Sequence, residues 1–267
     1  MDTKTTDQLL DLISKDYPTL KDIKGIKAPD RYTYNGVNVP RVTSILDKTI
    51  GRPGIASWAN SLGFKHIGYH KALNAAAAIG TETHNYIENY IQNDIKDITE
   101  LKESESCIAA FHSWWDSLKE MYTVKVIGEE QKMACPWYGG TYDLLLDING
   151  EKMLVDFKTS NAIKPEYFYQ LAAYRYLINL NYGYDIDSCM ILRLSKTDGS
   201  YESNYIDLHT PNGAQFMQHA SDTFFSLLNS YFRLSTSEYE YKTMCNGDDI
   251  VLSLIHISEP TRRVVIS

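Results

Sequence analysis

The sequence predicts an α+β (α/β) protein, a sheet-bearing core preceded by a helical half, and three observations carry that reading. The spacing of apolar residues changes from helical to strict alternation after Tyr122. Two Asn-Gly pairs, Asn35-Gly36 and Asn149-Gly150, stand between alternating runs, where Asn-Gly supplies the positive φ angles of a tight hairpin turn. A helical stretch opened by Pro165 then separates the third long strand from the next one, as in units that add strands across a helix.

In chain order, residues 4–23 place Leu9, Leu10, Leu12 and Ile13 at roughly helical spacing and read as a short, peripheral amphipathic helix. Tyr32 to Val39 is a hairpin about Asn35-Gly36, closed by Pro40. From Val42 to about Ile91 the pattern is helical: Ile55 to Leu62 with Trp58, then Leu73 to Ile91, where Ala75 to Ala78 give propensity and Ile79, Tyr86, Ile87 and Tyr90 an apolar face. Ser104 to Met121 is a third helix. Val124 to Met133, Tyr138 to Ile148 and Lys152 to Phe157 are successive strands, then Pro165 to about Leu180 a helix, Ser188 to Leu194 and Tyr201 to Leu208 strands, and Pro211 to about Leu234 a last helix. No repeat of 20–50 residues interrupts this order. Residues 1–121 and 122–236 therefore read as one continuous domain, followed by a truncated segment, 237–251. Leu252 to Arg262 is identical to the translated mosaic-end adaptor of transposase-based sequencing libraries, so 252–267 are set aside as read-through.

The chain has 267 residues, 26 basic against 34 acidic, and a formal charge of −8, which excludes a polycationic binder. No apolar run approaches the roughly 18 residues of a membrane span, and charges interrupt the first twenty residues where a signal peptide would need an apolar core. The expectation is a cytoplasmic protein of a bacterial or phage-infected cell, with no membrane partner. Cys107, Cys135, Cys189 and Cys245 lie tens of residues apart and read as buried thiols. Tyrosine occurs 20 times; such rings fill half-buried strand positions or offer stacking faces to unpaired bases.

The chemistry concentrates between Gly139 and Ser160. If Asn149-Gly150 is a two-residue turn, Asp143 and Asp156 stand opposite on adjacent antiparallel strands, sharing a face; a bulge would shift that register by one. Lys158, two residues past Asp156, emerges on the same face. Two acids and an amine at one point suit a hard divalent cation and hydrolysis of a phosphodiester, although an Asp-x-Lys strand end is also common by chance. Downstream, Gln170 and Tyr174 are i and i+4 on a helix; upstream, His84 and Glu88 share a helix face in the same way.

In that order, Gly80-x-x-x-His84, Gly140-x-x-Asp143, Asp156-x-Lys158 and Gln170-x-x-x-Tyr174 resemble the motif set of the RecB-like branch of the PD-(D/E)XK nucleases. The lead-in Val39 to Leu46, with Trp58-Ala59 and Gly80-Thr81 after it, is similar to phage exonucleases and the mitochondrial genome-maintenance exonuclease of that branch, over roughly residues 30–235. The resemblance implies a restriction-endonuclease-like core with a mixed central sheet flanked by helices and an N-terminal helical elaboration. It implies His84, Asp143, Asp156 and the main-chain carbonyl of Phe157 as ligands of Mg²⁺ or Mn²⁺, with Glu130 (or, less well placed, Glu129) as a further acid. It makes Lys158 the catalytic lysine, Gln170 and Tyr174 positioning groups, and Glu88 a support beside His84. The isolated cysteines depart from the iron–sulfur members of the branch, so no cluster is expected, and no G-x-x-x-x-G-K-[ST] motif provides an ATP site.

The implied activity is metal-dependent DNA exonuclease action on single strands or free ends in phage or prophage recombination, repair or replication, where a recombination or replication protein is a candidate partner. A structure-specific endonuclease of the same fold, or a binding module without catalysis, remains open. An acidic nuclease must gather its cations locally; Arg41, Lys48, Arg52, Lys65, Arg193 and Lys196 are the candidate phosphate contacts, and Tyr32, Tyr34, Trp58 and Tyr174 the candidate ring contacts.

Overall fold

The computed structural model describes residues 6–18, 20–26, 28, 31–51, 54–93 and 103–246. In order they form helix α1 (Thr6–Asp16), a 3₁₀ turn, the hairpin β1 (Thr33–Tyr34) and β2 (Val37–Asn38), helices α2 (Val42–Thr49), α3 (Ile55–Phe64), α4 (Tyr69–Asn93) and α5 (Glu105–Met121), strands β3 (Val124–Ala134), β4 (Gly139–Ile148) and β5 (Glu151–Lys158), helix α6 (Pro165–Tyr182), strands β6 (Ser188–Leu194) and β7 (Tyr201–Asp207), and helix α7 (Pro211–Asn246). The chain is thus α+β, with a mixed five-stranded sheet between helices. No helix among the described residues is long and apolar enough to cross a membrane.

The sheet runs β3-β4-β5-β6-β7, antiparallel except for β5 against β6. That parallel pair follows from α6, because strands joined through a helix can lie side by side in one direction, whereas a tight turn reverses the chain. Pro165 starts α6 at the position where its missing N–H costs nothing, and Gly183, at φ 68°, ends it in the left-handed conformation. The predicted turn between β4 and β5 is observed: Asn149 and Gly150 have φ of 54° and 98°, and Ile148 pairs with Glu151.

Both faces of the central strands are apolar, which explains the near-continuous runs Leu144-Leu145-Leu146 and Met153-Leu154-Val155. Leu145, Leu154, Cys189 and Ile191 join one cluster with α1, α2, α6 and α7. Leu144, Leu146, Met153, Val155 and Leu192 face the other way, against α4 and α5.

Two expectations change. The first helix is not peripheral: Leu9 and Ile13 are buried in the main core, and Thr6 Oγ1 donates to Asp222 of α7 at 2.6 Å. The last helix does not stop near Leu234 but runs to Asn246. Residues 20–26 brace the added turns, and Gly25 lies so close to Ser235 and Tyr239 that a Cβ there would sit 2.3 Å from the Ser235 carbonyl oxygen. Cys107, Cys135 and Cys189 are buried as expected, whereas Cys245 is exposed. The suspected read-through, 252–267, lies outside the described residues.

Candidate active site

The site begins at the closed hairpin. Its register, Leu144 to Val155 and onward, brings Asp143 level with Asp156, and by the twofold alternation of strands both point with Lys158 to the face of Leu145 and Leu154. Here the ladder is replaced by a side-chain contact: the Phe157 N–H donates to Asp143 Oδ2 at 2.7 Å. This bond fixes the Asp143 carboxylate, whose side chain is 12% exposed.

Strand β3 supplies the next acid. A register shift between Val126 and Gly128 re-aims this strand, so that Glu129 pairs with Leu144 and Gln131 with Tyr142, leaving Glu130 across from Asp143. Glu130 has φ of 43°, a left-handed conformation rare for a residue other than glycine, held where a side chain must be aimed. Helix α4 brings His84 between the two acids, Nδ1 lying 3.4 Å from Glu130 Oε1 and 3.6 Å from Asp143 Oδ1. Gly80, one turn earlier, faces the end of β5: a Cβ there would lie 3.4 Å from Thr159 Oγ1, at ordinary contact distance.

Behind them, Lys158 forms an ion pair with Asp156, which is 1% exposed. Apart from that pair, neither Asp156 carboxylate oxygen meets a hydrogen-bond donor among the described residues. Burial pushes the Asp156 carboxyl up to about 6, against the pull of Lys158. Burial also dominates at Asp143 and raises it, opposed by His84 and Lys158. For His84 burial works downward, yet Asp143 and the Glu130 contact outweigh it and carry the imidazole up to about 9. The Lys158 amine is raised as well, because Asp156 and Asp143 overcome its burial, so it is an ammonium at neutral pH.

These groups suit a hard divalent cation. One donor atom from each of His84, Glu130 and Asp143 lies within 4.8 Å of the others, and ligand distances of about 2.0–2.6 Å allow donor separations of up to roughly twice that. The buried Asp156 oxygens add unspent acceptors beside them, and a mixed imidazole and carboxylate set accommodates Mn²⁺ as well as Mg²⁺.

Gln170 Nε2 donates to the Tyr174 hydroxyl at 2.7 Å on α6. The Tyr174 ring rests on Gly140, where a Cβ would sit 2.4 Å from its Cε1 and 3.4 Å from Val42 Cγ2. This explains a glycine three residues before Asp143. Gly140→Ala is expected to cost about 1–3 kcal/mol through overpacking, measured by thermal unfolding, whereas Gly63→Ala, with open space around it, leaves the midpoint unchanged or higher; equal midpoints would disprove the packing role.

An open cleft of about 420 Å³ over these groups is lined by Arg41, His84, Glu88, Glu130, Asp143 and Tyr174, and by Arg31, Tyr32 and Thr43. Arg41 and Glu88 therefore lie where the sequence places them. Glu88 accepts a 3.4 Å hydrogen bond from Gln92. Trp58 lines a neighbouring cavity. Other expected contacts are not brought to the cleft. Lys48 pairs with Glu238 at 3.1 Å and ties α2 to α7. Arg193 pairs with Glu202 at 2.7 Å across β6 and β7, and Lys196 stands near Cys107 of α5. Lys65 is exposed after α3. Tyr34 packs against the core, and Arg52 lies outside the described residues. Glu129 faces Glu88 and Gln92; burial first, then the Glu88 and Glu130 carboxylates, raise it to about 7 against a Gln92 hydrogen bond. Arg31 is missed by sequence reasoning; the available signal was its place immediately before Tyr32 in the sequence, and its cation lies 5.8 Å from that ring.

Compared with known proteins, the chain matches no family model and no curated protein. A solved structure described as the crystal structure of SSO0001 is 15% identical, covering 82% of this chain and 84% of that chain with a TM-score of 0.33, a likeness too slight to carry a conclusion.

Proposed function

We propose that this chain is a divalent-cation-dependent deoxyribonuclease that degrades single-stranded or free-ended DNA as an exonuclease. The observation that carries the reading is the convergence of His84, Glu130 and Asp143, from α4, β3 and β4, on one open cleft, with the Asp156–Lys158 ion pair of β5 directly behind them. The motif order Gly80-His84, Gly140-Asp143, Asp156-Lys158 and Gln170-Tyr174 supports the same conclusion through its resemblance to RecB-like nucleases.

His84, Glu130, Asp143 and Asp156 would hold Mg²⁺ or Mn²⁺, which when bound acidifies water and offsets phosphoryl charge. The residues' own tasks follow from their settings. Asp143, fixed by the Phe157 N–H, sets the direction of approach to the site. Lys158, an ammonium backed by Asp156, faces the phosphate with a fixed positive charge and orients the attacking water. Tyr174, anchored by Gln170 and Gly140, holds the wall against which the backbone lies. Arg41 and Arg31 at the rim supply phosphate contacts. The preference for a single strand or a free end comes from the resemblance to RecB-like exonucleases.

Purified protein is expected to shorten end-labelled single-stranded DNA with Mg²⁺ or Mn²⁺, to stop in EDTA, and to leave covalently closed circles whole. No degradation of any labelled DNA with either cation refutes the proposal, and opening of closed circles replaces the exonuclease reading with an endonuclease one.

A further inference from the structure

Beside the catalytic cleft, a second open cavity of about 410 Å³ is bordered by α2, α3, α4 and the start of α6. We infer that it is a nucleobase pocket, taking one unpaired base of the strand whose phosphate occupies the cleft. This rests on the nuclease reading and adds how the strand is held.

The two cavities adjoin. Thr43 lines both, and the partition between them is the Gln170–Tyr174 hydrogen bond, Gln170 bordering the second cavity and Tyr174 the cleft. Tyr167 borders the second cavity too, and the Lys158 ammonium lies over its ring, 5.1 Å from the centroid. One aromatic ring therefore separates the pocket from the lysine at the reacting phosphate. Tyr167, Gln170 and Tyr174 fall on one stripe of α6, at i, i+3 and i+7.

The lining selects a base rather than another phosphate. Leu46, Ile50 and Leu73 give apolar walls, and Trp58 and Tyr167 give two rings. Among the described residues the charges lining it are Asp47, Glu166 and Lys164, with Lys164 lying 3.8 Å from Glu166, so these carry no surplus of positive charge for an anion. Both rings are already held: Trp58 packs edge-on against Tyr69 at 5.5 Å between centroids, and Tyr167 lies beneath Lys158. Rings fixed in advance lose little freedom when a base stacks on them.

The test is a set of otherwise identical oligothymidylates, each with one abasic residue, degraded by the wild-type full chain with Mn²⁺. One position close to the scissile bond is expected to raise KM about tenfold, the loss of a single stacked base, with a smaller change in kcat. Trp58→Leu then degrades intact and abasic strands with the same KM. If the intact strand is degraded and no abasic position changes KM, or if Trp58→Leu still discriminates, the pocket is refuted while the nuclease reading stands. If the intact strand is not degraded at all, both fall.

Discussion

Lys158→Met is expected to lower divalent-dependent cleavage of single-stranded DNA by on the order of 10³-fold, the loss that follows removal of a fixed charge aimed at a developing anion. It also has a structural cost, because Asp156 is 1% exposed and its ion pair with Lys158 is the contact its carboxylate makes. Breaking one side of a buried pair costs about 3–5 kcal/mol when the remaining charge cannot escape. Asp156 has an escape: burial already holds its carboxyl near 6, and without Lys158 it rises further and takes up a proton at neutral pH. The variant therefore folds with reduced stability and a site short of one carboxylate. The double variant Lys158→Met, Asp156→Asn removes the cost of protonating Asp156 at neutral pH and regains most of the lost stability, yet stays inactive. Paired measurements of melting temperature and cleavage rate thus separate the two roles. Cleavage by Lys158→Met within tenfold of the wild type would remove Lys158 from the catalytic role, and no stability regained in the double variant would show that the pair is not what Lys158 contributes to the fold.

Local chemistry made much of this legible. Asn149-Gly150 fixed the register, and the register put Asp143 level with Asp156 and turned Lys158 to the same face. Gly140 was visible as a motif letter, but its reason, the nearness of the Tyr174 ring, is tertiary. The position of Glu130 depends on a register shift in β3 and a left-handed backbone, neither of which leaves an alternation to read. The basic residues were the least legible. Whether Lys48 or Arg193 is available to a phosphate depends on Glu238 and Glu202, one 190 residues away and the other across a strand pair. The burial of α1 had the same origin, since its partner α7 lies at the far end of the chain.

Cation binding to the site is expected to strengthen by about tenfold per pH unit through the neutral range and to level off above about pH 9. Without a cation, the His84 imidazole is carried up to about 9 by Asp143 and Glu130, so at pH 7 a proton bridges the acids that a divalent cation would use. Binding must release that proton, and each unit of pH below the His84 value costs one power of ten in apparent affinity. Calorimetric titration of Mn²⁺ in buffers of different ionisation enthalpy checks this, with close to one proton released per ion at pH 7. The same group sets a stability trend. A histidine whose folded value exceeds its unfolded 6.5 stabilises the fold fully below 6.5 and loses that contribution as pH rises through about 9. Asp156 and Glu129 act lower, reaching only about 6 and about 7. The melting temperature of cation-free protein should therefore fall between pH 7 and 9, and this fall should vanish in His84→Gln and shrink when Mn²⁺ is present. A cation affinity that does not vary with pH, or an unchanged melting trend in His84→Gln, would show that His84 is not the proton carrier between Asp143 and Glu130.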